Sequence, residues 1–223
     1  MVSYRLSEII KLCGTAKRVA DVGCDHGKVL GELARKNAKY LIATDISEPS
    51  VRKAGSLLNS LNFKNFSVRV GNGCETLTDA DKLDLIVIAG MGGLEIIEIL
   101  KNAKIKLTNL VLQPQNNVVK LREYLAENNF YISTDKVIED KSKFYNILKV
   151  KKTNEKHELT ERQIIYGKSN LVGYNPHFVL MLMEENDKLA LRQNGVRNEK
   201  LKNEMLQTIK NNNKEIERAN NRR

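Results

Sequence analysis

The stretch Arg18–Gly27, RVADVGCDHG, decides the fold. An apolar run, Arg18–Val22, breaks at Gly23, and helix-like KVLGELARK follows from Lys28. Gly23 permits a tight turn and close approach of a ligand to the backbone, and the start of the helix offers unpaired N–H groups. Such a turn alone also fits an ordinary strand-to-helix connection, so the reading depends on what surrounds it.

Outward from that turn, short runs rich in Val, Ile and Leu alternate with helix-like stretches up to about Val150. The further runs are Tyr40–Thr44, Phe66–Val70, Leu83–Ala89, Asn109–Leu112, Tyr131–Val137 and Tyr145–Val150. Near-continuous apolar strands such as LDLIVIAG suit a sheet buried on both faces. Strand–helix–strand repetition implies right-handed crossovers and a doubly wound α/β sheet. The last two runs have no convincing helix between them and read as a hairpin, which puts one antiparallel strand at the end of the sheet.

Beyond Lys151 the strand signal disappears. KKTNEKHE is a polar linker, Leu159–Lys168 has helical spacing, and Gly173, Asn175 and Pro176 break the chain. His177–Gln193 reads as a helix, with Gly195 as an interruption. Leu201, Met205, Ile209 and Ile216 then form a coiled-coil-like stripe, so the tail is expected to be a helical hairpin. The Asn211–Asn213 triplet weakens the stripe, and the terminal ANNRR is expected to fray. The division is a sheet domain over 1–152 and a helical domain over 153–223.

The chain has 223 residues, 41% hydrophobic and 29% charged, which excludes wholesale disorder. Three cysteines, Cys13, Cys24 and Cys74, show no C-x-x-C spacing, so neither a disulfide scaffold nor a zinc cage is expected, and a reducing, cytoplasmic compartment fits. No apolar run reaches the roughly 18–20 residues that span a bilayer, and no signal-peptide pattern opens the chain. The formal net charge is +10. Residues 1–150 carry 22 basic and 17 acidic side chains, and residues 151–223 carry 15 and 10. Each part contributes +5, so the tail is about twice as basic per residue, a sign of a polyanionic partner.

The second strand ends in Asp45, placed to accept both hydroxyls of a ribose. Two cofactor classes share that feature. A dinucleotide site wants G-x-G-x-x-G around a pyrophosphate, but here the turn reads G-C-D-H-G, and a carboxylate at Asp25 would repel it. S-adenosyl-L-methionine has no phosphate and needs an acceptor for its ammonium group, so an acidic turn suits the methyl donor. The third strand ends in Gly71-Asn72-Gly73, where a polar side chain meets the adenine amino group in methyltransferases. The fourth ends in Ala89-Gly90-Met91-Gly92-Gly93 and lacks the polar side chain that enzymes acting on exocyclic amines place there. A ring nitrogen with a free lone pair is the better acceptor.

The chain resembles the bacterial tRNA (adenine(22)-N1)-methyltransferases, over nearly its whole length. The likeness lies in SYRL, ADVGCDHG, IAGMGG, LVLQP, IEDKSKFYNIL and the LVG that opens the helical tail. It implies a class I, Rossmann-like fold, S-adenosyl-L-methionine as donor, and methylation of an adenine N1 in the D-arm of tRNA, with a coiled-coil-like tail that helps to hold the tRNA. Departures are Asn72 where the family often has Asp, Asp45 for a frequent Glu, Gln115 where Asn is common, and Tyr174 in place of Pro.

Carried onto this chain, the donor site comprises Asp21, Gly23, Cys24, Asp25, His26, Gly27, Asp45, Ile46, Asn72, Gly73, Gly90, Met91 and Gly92. Asp25 faces either the donor's ammonium group or the developing adenine cation, or is simply an acidic residue at a helix start. His26 contacts the cofactor, orients Asp25, or caps. Gln113 would meet the adenine edge and Tyr145 would stack on a flipped base, unless they are a loop and a core residue. RNA contacts are expected at Arg5, Lys28, Arg122, Lys141, Lys143, Lys168, Arg192 and Arg197. No metal and no membrane partner are expected, and the protein should act as a monomer. The rival readings are a class I methyltransferase acting on another RNA position or rRNA, a non-catalytic RNA-binding module on the same fold, and a nicotinamide oxidoreductase.

Overall fold

The computed structural model describes residues 2–223. Seven strands form one sheet: β1 (Arg18–Val22), β2 (Tyr40–Asp45), β3 (Phe66–Val70), β4 (Leu85–Met91), β5 (Asn109–Pro114), β6 (Phe130–Asp140) and β7 (Lys143–Lys152). Their spatial order is β3-β2-β1-β4-β5-β7-β6. The first five are parallel, and β7 runs antiparallel to both β5 and β6. The antiparallel strand therefore lies one place in from the end; β6, not β7, is the edge.

Side chains alternate across the pleat, so each strand feeds two cores. On one face Val19, Leu41, Val87 and Val111 pack beneath α1 (Tyr4–Cys13), α2 (Lys28–Ala34) and α3 (Glu48–Ser60). On the other, Ala20, Ile42, Ile88 and Leu112 pack beneath α4 (Gly93–Lys101) and α5 (Val118–Glu127). Helices on both faces of a mainly parallel sheet make the doubly wound class, with its ligand crevice at the carboxyl ends of the strands where the order reverses, here between β1 and β4. β4 begins and ends two residues later than its apolar run: Ala89 pairs with Gln113 and Met91 with Pro114, and Gly90 between them is the extra residue of a register irregularity. Irregularities of this kind re-aim a strand tip beside a site.

The tail contains α6 (Glu161–Tyr166), a 3₁₀ turn over Lys168–Leu171, α7 (Pro176–Gln193) and α8 (Glu199–Asn220). Thr160 and Gln163 form a reciprocal capping box that starts α6. The α7–α8 hairpin forms, but its seam differs from the expected stripe. Met205, Asn212, Glu215 and Ala219 are the buried positions and Ile216 packs partly buried beside Phe178, while Leu201 and Leu206 are exposed. Asn212 belongs there because its polar groups are answered: it accepts from the Tyr166 hydroxyl at 3.0 Å and donates to Asn186 at 2.9 Å. Helix α8 also runs through Asn220 with Ala219 fully buried, so the frayed end expected for ANNRR shrinks to the final three residues.

The tail closes the free edge of the sheet. The Asp135 and Val137 amides donate to Ser169 Oγ (2.9 Å) and Asn170 Oδ1 (3.0 Å), and Asn175 Nδ2 donates to the Val137 carbonyl (3.0 Å). Side chains thus occupy the backbone groups that a further strand would use. Beneath this seam Phe178 and Leu182 of α7 pack against Val137 and Tyr166.

A candidate methyl-donor site at the carboxyl end of the sheet

A cavity of about 1000 Å³ opens over the ends of β1, β2, β4 and β5. Its floor is the Gly23–Gly27 turn. The amides of Gly23 and Cys24 both donate to the Thr44 carbonyl (2.8 and 3.1 Å), which ties the turn to β2. Gly23 has φ +71° and lies under the Met91 side chain, which a Cβ would strike; Gly27 has φ +67° and a Cβ would stand 2.7 Å from that of Ala54 in α3. Asp25 between them is also left-handed, at φ +46°. Strained non-glycine backbone is found where a turn is shaped for a ligand.

Six acidic side chains line this space, and three of them, Asp21, Asp25 and Asp45, lie together at the tips of β1 and β2. Asp21 lies deep in β1, 3% exposed, and its side chain makes no hydrogen bond among the described residues. Burial, then the charges of Asp45 and Asp25, pushes its proton affinity up to about 8. Asp45 caps the strand end: Oδ2 accepts from the Asp25 amide (3.1 Å) and Oδ1 from the Ser47 amide (2.9 Å). The Asp25 side chain is 71% exposed at the rim, with its Oδ2 2.7 Å from His26 Nδ1, while Lys53 Nζ lies 3.5 Å from His26 Nε2. A crevice with this charge repels a pyrophosphate and attracts a cation, so the residues present fit a sulfonium donor with a free ammonium group. Cys24 and Cys74 are buried thiols pushed up to about 12 and about 11, chiefly by burial, so both are un-ionised and poor nucleophiles at neutral pH.

The cavity brings together Arg5, Lys28, Ile46, Asn72, Gly73, Gly90, Gln113, Lys141 and Tyr145 with the turn. Gly27 and Gly92 do not line it; Gly27 is instead the close contact with α3 that holds the turn in place. Gln113 is fully buried at the tip of β5, its Nε2 donating to the Pro114 carbonyl (2.9 Å) and its Oε1 accepting from Arg5 Nη1 (3.3 Å). The Arg5 guanidinium lies over the Tyr145 ring, 4.9 Å from its centre. Arg5 therefore belongs to the wall of the site. Gln115, noted in the sequence as a departure from the family, lines the cavity too, as do Glu95 and Asp140, which the sequence reading gave no role. Glu95 was findable as an acidic residue in the first turn of α4, directly after the glycine-rich strand tip.

Arg122 has to be withdrawn as an RNA contact. It is 1% exposed, holds Asp135 through two bonds of 2.7 and 3.0 Å, and donates also to Asn146 and to the Ile164 and Ile165 carbonyls. Its donors are consumed in joining α5, β6, β7 and the end of α6. Lys143 lines a second cavity, of about 640 Å³, between β7 and the α7–α8 hairpin, which shares Gln115 and Tyr145 with the first. Lys168 stands over the Tyr131 ring at 5.1 Å. Arg192 and Arg197 are exposed at the turn of the hairpin, away from both cavities. Among the described residues no helix is long and apolar enough to cross a membrane, and no group of three or more His, Cys, Asp or Glu is placed to hold a metal ion.

Comparison with known proteins gives these features their context. The solved structure of Mycoplasma capricolum TrmK, in complex with S-adenosyl-homocysteine, shares the fold: 24% identity, TM-score 0.86, 98% of this chain and 99% of that one. The Streptococcus pneumoniae protein Sp1610, solved in complex with S-adenosyl-L-methionine, matches at 26% identity and TM-score 0.85, over 97% of this chain and 100% of that one. The Bacillus subtilis tRNA (adenine(22)-N(1))-methyltransferase is 32% identical over 158 residues, 66% of this chain and 63% of its own. The family model described as TrmK, tRNA (adenine(22)-N(1))-methyltransferase, matches residues 19–220, sheet and tail together. The chain belongs to this family: it is an S-adenosylmethionine-dependent enzyme that methylates N1 of adenine 22 in tRNA.

Proposed function

We propose that the chain carries out this methylation with Asp21 and Asp45 holding the donor, Gln113 and Tyr145 receiving the adenine, and the tail gripping the tRNA. The observation that carries the reading is the buried carboxylate of Asp21 at the β1 tip, without a hydrogen-bond partner among the described residues and beside Asp25 and Asp45 in the same cavity. Asp21 suits the ammonium group better than Asp25, which stands at the rim. Asp45 is left to the ribose and Asn72 to the adenine of the donor.

When bound, the donor supplies a methyl group on a sulfonium, ready for in-line displacement. The N1 lone pair of adenine needs no base to expose it, so the task of the protein is to position the ring and to exclude competing contacts. Tyr145 provides a stacking face and Gln113 a polar contact at the tip of β5. The ring becomes a cation as N1 is methylated, and the carboxylates across the cavity lower the cost of that charge. N1 lies on the Watson–Crick edge, so the base must leave its stack at a cost of a few kcal/mol. Lys28 and Lys141 at the mouth, Lys143 in the adjoining groove, and Lys168, Arg192 and Arg197 on the tail offset that cost through phosphate contacts.

One chain supplies both cavity walls and the basic tail, which suits a monomer. A tRNA substrate and three buried, unpaired cysteines suit the cytoplasm. The test is incubation of the protein with labelled donor and unmodified tRNA, followed by mapping of the modified base. Label at N1 of adenine 22 is the expected result, and label that persists when that adenine is replaced would refute the assignment.

A further inference from the structure

Arg5 stands in the sequence as one more basic residue near the start of the chain. The fold gives it another place. Ser3 caps α1 by accepting from the Leu6 amide (3.2 Å), and buried Ile9, Ile10 and Cys13 fix the helix on the sheet. That docking brings the Arg5 guanidinium against two residues at the base-receiving end of the cavity, Gln113 and Tyr145.

We propose that Arg5 is a positioning residue that sets which end of the Gln113 amide meets the target base. This rests on Gln113 and Tyr145 being the adenine seat. The argument is one of donors and acceptors. A guanidinium only donates, and the Pro114 carbonyl only accepts. Arg5 therefore draws Oε1 to the Tyr145 side while Pro114 draws Nε2 away, and the two contacts select one of two amide orientations. The choice matters for chemistry at N1. An amide oxygen accepts from the 6-amino group of adenine and leaves the neighbouring N1 lone pair free. The reversed amide would point an N–H at the 6-amino group, which also donates, so the contact that seats adenine would be lost. The face of Tyr145 holds the guanidinium in place, a contact that a lysine ammonium, lacking a planar fork, reproduces poorly.

The test compares two tRNAs, one with adenine at the target position and one with purine riboside, which keeps N1 but lacks the 6-amino group. Arg5→Ala is expected to lower kcat on the adenine tRNA on the order of tenfold, the value of about one hydrogen bond, with donor Kd unchanged. It should barely alter kcat on the purine tRNA, so the wild-type preference for adenine collapses. Arg5→Lys should fall between the two. Adding Gln113→Glu to Arg5→Ala should restore the preference, because a carboxylate presents an acceptor whichever way it turns. An equal fall on both tRNAs, or failure of the second substitution to restore the preference, would overturn the proposal. So would a defect confined to KM with a log–log salt slope shallower by about one, the mark of a phosphate contact. Methylation by the wild type at an atom other than N1 would overturn the reaction assignment itself, and with it the role given to the Gln113 oxygen.

Discussion

Asp21 illustrates how a single carboxyl couples folding, pH and ligand. Its ordinary value near 3.8 applies in the unfolded chain, whereas burial and the nearby Asp45 and Asp25 raise it to about 8 in the fold. Between those values the folded state keeps a proton that the unfolded chain has released, so stability falls as pH rises through that window and levels off above it. Thermal midpoints of the ligand-free enzyme, followed from about pH 5 to about pH 8, should show this decline, and Asp21→Asn should flatten it. A cation reverses the preference. Donor binding near neutrality should release a proton, detectable by calorimetry in buffers of different ionisation enthalpy, and Asp21→Asn should abolish the release and weaken donor binding about 10- to 100-fold. Arg122 makes the opposite point, because its charge is structural. Arg122→Ala leaves Asp135 buried without its partner and should cost about 3–5 kcal/mol in urea unfolding, with no change in the salt slope of tRNA binding.

At the scale of elements, the strands were legible because uninterrupted Val, Ile and Leu runs have few other uses. Their ends were not. β4 extends past its apolar run since the pairing of Met91 depends on Pro114 of β5, more than twenty positions downstream. The hairpin seam was misread for a related reason: the Asn211–Asn213 triplet reads as a weakening of the apolar stripe, and only the distant partners Tyr166 and Asn186 show that Asn212 is internal. A measurable consequence follows. Asn212→Leu leaves the buried Tyr166 hydroxyl unanswered and should destabilise the protein by about 1–3 kcal/mol, and adding Tyr166→Phe should recover much of the loss, because replacing both partners removes the unmet bond. Denaturation of the four proteins in this cycle gives the coupling directly.

Across the whole molecule, the charge division seen in the sequence acquires a geometry. The cavity is lined by carboxylates within a chain of net charge +10, with lysines at the mouth and arginines at the far turn of the tail. Replacing Arg192 and Arg197 with glutamate should weaken tRNA binding several-fold and make its salt dependence shallower, while donor affinity stays the same; binding titrations at three or more salt concentrations would measure this. The cofactor turn could be read from ten residues because its parts are adjacent in the chain. The Arg5–Gln113–Tyr145 contact could not, since it joins α1, β5 and β7 through packing alone.

The side chains of Ser169, Asn170 and Asn175 along β6 change what a defect in the tail would mean. Without them the sheet has an open rim of amides and carbonyls, a template for the next molecule's strand. A chain cut in the linker would be expected to stick to itself before it lost its grip on tRNA. Mutations scattered through the tail should therefore be recognised first as low cellular abundance, with clearance by proteases preceding any measurable failure of catalysis.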